Sequence, residues 1–125
     1  MKTVFIENQS RPLSQPVRAG YCQSFRCQLR GFTFRRPIDP QEALLLVQHR
    51  DSRLDSSIHM MFVWTDLAVV WINSAMEVVD VRLARQWRPA YISTRPACYV
   101  LEMAPQRLAE FQVGDRLRLV ETATA

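Results

Sequence analysis

Residues 68–83 read AVVWINSAMEVVDVRL, and their reading decides the fold class. Ala68 to Ile72 is a run of strand length rich in β-branched and aromatic side chains, which fit a pleated, half-buried surface. Asn73 and Ser74 then supply turn chemistry, and Glu77 to Leu83 resumes a β-rich run. Two such runs around an Asn-Ser turn predict a hairpin. Upstream, Ile58 to Val63 adds a third β-rich run after the polar loop HRDSRLDSS. Downstream of the proline-punctuated loop QWRPAYISTRPA, Cys98 to Met103 sets Tyr99 and Leu101 against Val100 and Glu102, the period of two that marks a strand. Val113-Gly114-Asp115 reads as a tight turn into a last strand, Arg116 to Val120.

Toward the N-terminus, Ala43 to Val47 is a continuous apolar run that periodicity alone does not separate from a helical turn; it is read as a strand. Thr3 to Ile6 reads as a short first strand, followed by the connection NQSRPLSQPV with its two prolines. Two short helices complete the prediction. Cys22, Phe25 and Leu29 fall at i, i+3 and i+7 within Tyr21 to Arg30, stopped by Gly31, and Pro105 opens a helix through Phe111. The expected fold is mainly β: a compact β-sandwich or barrel with one or two short helices. A chain of 125 residues buries roughly two thirds of its unfolded surface, enough for one domain over residues 1–125.

Composition narrows the class further. With 48% apolar and 22% charged residues, the chain sits at the globular average, which excludes disorder, collagen and coiled coil. No apolar run approaches the roughly 18 residues of a membrane span, and MKTVFIENQSRP lacks the apolar region of a secretion signal. A soluble cytoplasmic protein without a membrane partner is expected. The net charge of +4 is N-terminal: residues 1–36 carry Lys2, Arg11, Arg18, Arg26, Arg30, Arg35 and Arg36 against Glu7 alone. No aromatic-basic interleaving accompanies it, so only weak nucleic-acid binding without sequence preference is expected. Cys22, Cys27 and Cys98 are odd in number and form no CxxC, which argues against a disulfide framework and a closed zinc site. On one helix Cys22 and Cys27 would stand about 140° apart round the axis and could not bridge, so three free thiols are expected.

Read in order, RGFTFRR, SSIHMMFVWTDLAVVWIN, VVDVRLARQWRPAYI, ACYVLEMAP and VGDRL resemble the bacterial and archaeal family known as domain of unknown function 192. The resemblance spans roughly Arg18 to Val120. Arg30, Gly31 and Arg35 match an R-G-L-x-x-R block, with Phe32 and Thr33 at positions usually aliphatic. Ile58, His59, Val69, Val70 and Trp71 match the I-H-T-x-x-M-x-x-P-I-D-V-V-F signature, from which Val63, Asp66 and Ala68 depart at the methionine, the proline and the aspartate. Trp87, Arg88 and Pro89, then Val100, Leu101 and Glu102, then Gly114 and Asp115 complete the set. The resemblance implies a compact β-rich domain and brings no activity with it. A role for the signature acid lost at Ala68 would have to pass to Asp66, two positions along a strand and so on the same face.

The candidate ligand-binding residues are His59, Asp66, Trp87, Arg88, Tyr91 and Glu102. His59 follows a polar loop into an apolar run and is the side chain able to trade a proton near neutral pH, although a histidine there is more often held by a backbone carbonyl. Trp87 and Tyr91 offer flat stacking surfaces, Arg88 offers a fork for carboxylate or phosphate, and Pro89 orders the backbone between them. The same loop serves equally as an aromatic plug, with Arg88 paired to Glu102 or Asp80. Met60, Met61, Phe62, Trp64 and Trp71 are too many large apolar groups for one face, so some are expected to pack on a second layer or meet a protein partner. Cys98 with His59 sits in no recognisable nucleophile frame. No metal and no cofactor is expected.

The function these residues favour is a non-enzymatic domain binding a small anionic or sugar-like ligand, or a partner segment, near His59, Trp87 and Arg88. Two alternatives stand beside it: a small hydrolase or lyase with His59 as general acid/base and Asp66 or Glu102 as its partner, and a structural accessory subunit with an exposed aromatic patch.

Overall fold

The computed structural model describes residues 2–24, 27, 42–60, 63, 65–88 and 90–121. Seven strands form one curled sheet: β1 (Thr3–Asn8), β2 (Val17–Cys22), β3 (Glu42–Ser52), β4 (Leu67–Ile72), β5 (Val78–Ala84), β6 (Ala97–Met103) and β7 (Leu117–Val120). Their spatial order is β5-β4-β6-β3-β2-β1-β7. Neighbours pair antiparallel except β2 and β3, which run parallel with Gly20 opposite Leu44. A parallel pair needs a long crossover, and residues 23–41 provide the length.

The sheet curls until its two outer strands meet at one corner, making a half-barrel. Val78 N–H donates to the Asp115 carbonyl, Gly114 N–H to the Val78 carbonyl and Leu117 N–H to the Met76 carbonyl, each at 2.8 Å. Gly114 holds φ of 96°, a conformation open to glycine at little cost, and this turns the chain into β7. Asp115 fixes the corner. Its side chain is 3% exposed, and the carboxylate accepts hydrogen bonds from Arg11 Nε (2.8 Å) and Nη2 (2.9 Å), Asn8 Nδ2 (2.9 Å) and the Gln112 N–H (2.9 Å). Burial alone would raise its pKa, but these donors outweigh it and hold the carboxyl below its ordinary value.

Curling creates two apolar layers. The barrel interior collects Ile6, Val17, Leu45, Val70, Leu101 and Leu117 with their neighbours. The opposite face of β2 to β6 carries a second layer with Leu44, Leu46, Val69, Trp71 and Val100, covered by Ile58, Met60 and Val63 from the segment before β4. Hence β4 is buried at every position, and β6 at every position but Tyr99. Trp71 ties that covering segment to the sheet: its indole N–H donates to the Ser56 carbonyl at 2.9 Å. Replacing Trp71 by Phe is expected to cost about 1–3 kcal/mol in a urea titration, because the buried Ser56 carbonyl loses its donor. A change below about 0.5 kcal/mol would show that this carbonyl finds another donor.

Most expected elements stand. The hairpin forms as read: the Asn73 side-chain oxygen accepts the Ala75 and Glu77 N–H groups at 3.0 Å, supporting Met76 at φ 65°. The helix at Pro105 is a 3-10 helix ending at Glu110. Three readings change. β3 runs on through His49 to Ser52, because Ser74 closes on Asp51 and holds the strand end. The described part of the run at Ile58 shrinks to one bridge, Ile58 to Tyr91. The helix placed at Tyr21 gives way to β2, which extends to Cys22 by pairing with β3; Cys27 is helical, while 25, 26 and 28–30 lie outside the described residues. With Cys22 on a strand and Cys27 beyond its end, their Cα atoms are 5.6 Å apart and the two sulfurs are bonded. The expectation of three free thiols is therefore corrected, since it rested on one continuous helix; Cys98 alone is free. No helix of the described residues is long and apolar enough to cross a membrane.

Candidate functional site

The loop after β5 and the segment before β4, far apart in sequence, lie side by side. Ile58 and Tyr91 exchange both backbone hydrogen bonds, at 3.0 and 2.9 Å, Met60 N–H donates to the Arg88 carbonyl at 3.0 Å, and Trp87 N–H donates to the Met60 carbonyl at 2.8 Å. This makes a short antiparallel ribbon. Its sides alternate as a strand dictates: Ile58 and Met60 turn inward to the outer apolar layer, while His59 between them is exposed. Arg88, Ala90 and Ile92 are exposed as well. Thus the fold brings His59 and Arg88 onto adjoining chains of one ribbon.

Trp87 stands out within it. The residue is 37% exposed, yet its backbone has φ of 67°, a region costly for a bulky residue. Two candidate residues brace the chain leading into it. Asp66 accepts the Gln86 N–H at 2.9 Å and Arg85 Nη1 at 3.4 Å, and the Tyr91 hydroxyl accepts the Arg85 N–H at 2.8 Å. Both clamp the residues just before Trp87. Ala68 is fully buried toward the barrel interior, and Asp66, ahead of β4, is this loop anchor.

Glu102 lies elsewhere in the same layer. It sits on β6 between Leu44 of β3 and Val69 of β4, 5% exposed. No hydrogen bond reaches its carboxyl from the described residues, and desolvation pushes its pKa up to about 7. The pairing of Arg88 with Glu102 or Asp80 is absent. Asp80 is instead held by the Val81 and Thr94 N–H groups and by Arg82, 3.1 Å away, whose guanidinium also lies 5.8 Å from the Trp71 ring centre. Nor does a hydrogen bond join His59 to Asp66 or Glu102. Burial raises the Cys98 pKa, and its thiol donates to the Gln48 carbonyl, which is the opposite of an activated nucleophile. Of the crowded aromatic segment, Met60 and Trp71 share the outer layer, and 61, 62 and 64 lie outside the described residues.

Sequence reasoning missed two features, the Asp115 corner and the Arg82–Asp80 pair. For the first, the Gly114-Asp115 turn was a legible signal, but the donors Asn8 and Arg11 come from the other end of the chain.

The residues at 5–119 match the family model DUF192, described as "Uncharacterized ACR". A UPF0127 protein of Pyrococcus furiosus is 32% identical over 104 residues, covering 81% of this chain and 85% of that one. A UPF0127 protein of Thermococcus kodakarensis is 28% identical over 119 residues, covering 94% and 74%. The fold is similar to the crystal structure of a protein of unknown function from Novosphingobium aromaticivorans, with a TM-score of 0.79 at 16% identity over 93% of this chain and 83% of that one. The family match runs from β1 into β7 and includes the ribbon, Glu102 and the Asp115 corner, and so the chain belongs to the DUF192 family.

Proposed function

We propose that this domain binds a small anionic ligand, a carboxylate or phosphate, on the outer side of the ribbon, with Trp87 as stacking surface and Arg88 and His59 as the polar contacts. The strained backbone of Trp87 carries the reading. Asp66 and Tyr91 hold an exposed indole in a conformation that costs on the order of 1–3 kcal/mol, and strain of this kind gathers at ligand sites. Charge supports the same reading: Arg88 is exposed and has no carboxylate partner among the described residues. Arg88 supplies a planar fork suited to carboxylate or phosphate.

The test is a thermal-shift titration with inorganic phosphate and with glucuronate. A ligand that binds only the folded state raises the melting temperature. Arg88→Ala is expected to abolish the rise while shifting the ligand-free melting temperature by no more than about 2 °C, as a surface substitution does. A rise of equal size in wild type and variant would remove Arg88 from the site. No rise with either probe, together with unchanged tryptophan fluorescence, would sink the anion reading.

A further inference from the structure

We infer that Cys27 is the exchange-competent sulfur of the Cys22–Cys27 disulfide, and that the cleft beside it admits a small-molecule thiol of the glutathione kind. Both cysteines touch the outer apolar layer, but they differ in exposure. Cys22, the last residue of β2, is fully buried in the outer apolar layer with Leu44, Leu46 and Val100. Cys27 is only partly buried and lines a cleft of about 460 Å³ with Tyr21, Gln23 and Ser24. Ser24 Oγ accepts the Cys27 N–H at 3.1 Å, which fixes the cysteine at the cleft wall. A thiolate must reach the sulfur it attacks, and access decides which of the two reacts. Apolar side chains close that approach at Cys22; the cleft opens it at Cys27. The bond also spans a sequence separation of only 5, so as a staple it restrains the unfolded chain less than a long-range bridge does.

The exchange balances with two small thiols. The first, as thiolate, attacks Cys27 Sγ; a new S–S bond forms, the bond to Cys22 breaks, and its electron pair leaves on Cys22 Sγ, which takes a proton from water. A second thiolate attacks the small-molecule sulfur of this mixed disulfide. The small-molecule disulfide departs, and Cys27 Sγ leaves with the electron pair and is protonated. Two small thiols are oxidised, and the protein disulfide is reduced to two thiols.

The experiment uses the full chain purified without reductant, carrying Cys98→Ser. Reduced glutathione is added, the reaction is quenched with acid, free thiols are alkylated, and peptide mapping locates the adduct. The adduct is expected on Cys27 and not on Cys22. Single-thiol variants give a second measurement: with oxidised glutathione, Cys22→Ser, which leaves Cys27, should react at least about tenfold faster than Cys27→Ser. Mapping of the chain with both cysteines decides the matter if either variant fails to fold. An adduct on Cys22, equal rates for the two variants, or an untreated protein whose Cys22 and Cys27 both alkylate would each overturn the assignment.

Discussion

Glu102→Gln raises stability by about 3 kcal/mol at roughly pH 8 and changes it by less than about 1 kcal/mol at roughly pH 4. The reason is the position of the carboxyl between Leu44 and Val69, 5% exposed and without a partner among the described residues. Desolvation penalises the charged form and moves the folded-state pKa from 4.5 to about 7. Below 4.5 the group is protonated in both folded and unfolded chains and contributes no pH dependence. Between 4.5 and about 7 the folded state keeps a proton that the unfolded chain has released, so stability falls as pH rises, and above about 7 the loss is complete. Glutamine has the same shape and no charge, so the variant lacks this slope. Urea titrations of both proteins across that range measure it; parallel pH profiles would show that Glu102 is solvated or paired when ionised.

Asp115→Ala costs about 3–5 kcal/mol, because it strands the charge and donors that converge on a buried carboxylate. Arg11 Nε and Nη2, Asn8 Nδ2 and the Gln112 N–H all lose their acceptor, and the turn through Gly114 that joins β7 to β5 loses its anchor. Arg11→Ala costs less, since its side chain is 33% exposed and Asp115 keeps its other donors. Denaturant midpoints compare the two variants, and hydrogen exchange at the Gly114, Val78 and Leu117 amides reports the corner itself. A loss below about 1 kcal/mol for Asp115→Ala, with those amides still protected, would mean that the barrel edge closes without it. The depressed pKa of Asp115 adds a slope opposite to that of Glu102: its contribution is present above the unfolded value of 3.8 and is lost as pH falls through the lower folded value.

These two acids show where sequence reasoning reached and where it stopped. The strand at Cys98 to Met103 was legible from its period of two, which also put Glu102 on the face of Val100. That this face is buried was not, because burial there comes from Ile58, Met60 and Val63, which cross over the sheet from a distant segment. The ribbon was legible in its parts: His59, Trp87, Arg88 and Tyr91 stood out by residue type. Their roles were not, because only the register of Ile58 against Tyr91 sets His59 and Arg88 on adjoining chains and makes Asp66 and Tyr91 clamps of the loop at Trp87.

Local chemistry therefore determined what local chemistry controls: the apolar runs that became strands, the Asn73 turn, the glycine at 114 and the proline that opens the 3-10 helix. Those follow from backbone preference and side-chain spacing within a few residues. The tertiary structure decided everything that depends on through-space distance. On paper Cys22 and Cys27 fall within one short helix on different faces, but hydrogen bonding of β2 to β3 holds Cys22 in a strand and brings the sulfurs together. Curling of the sheet, likewise, joins Asn8 and Arg11 to Asp115 across almost the whole length of the chain. A pairing energy depends on separation and burial in space, and neither is a function of sequence distance.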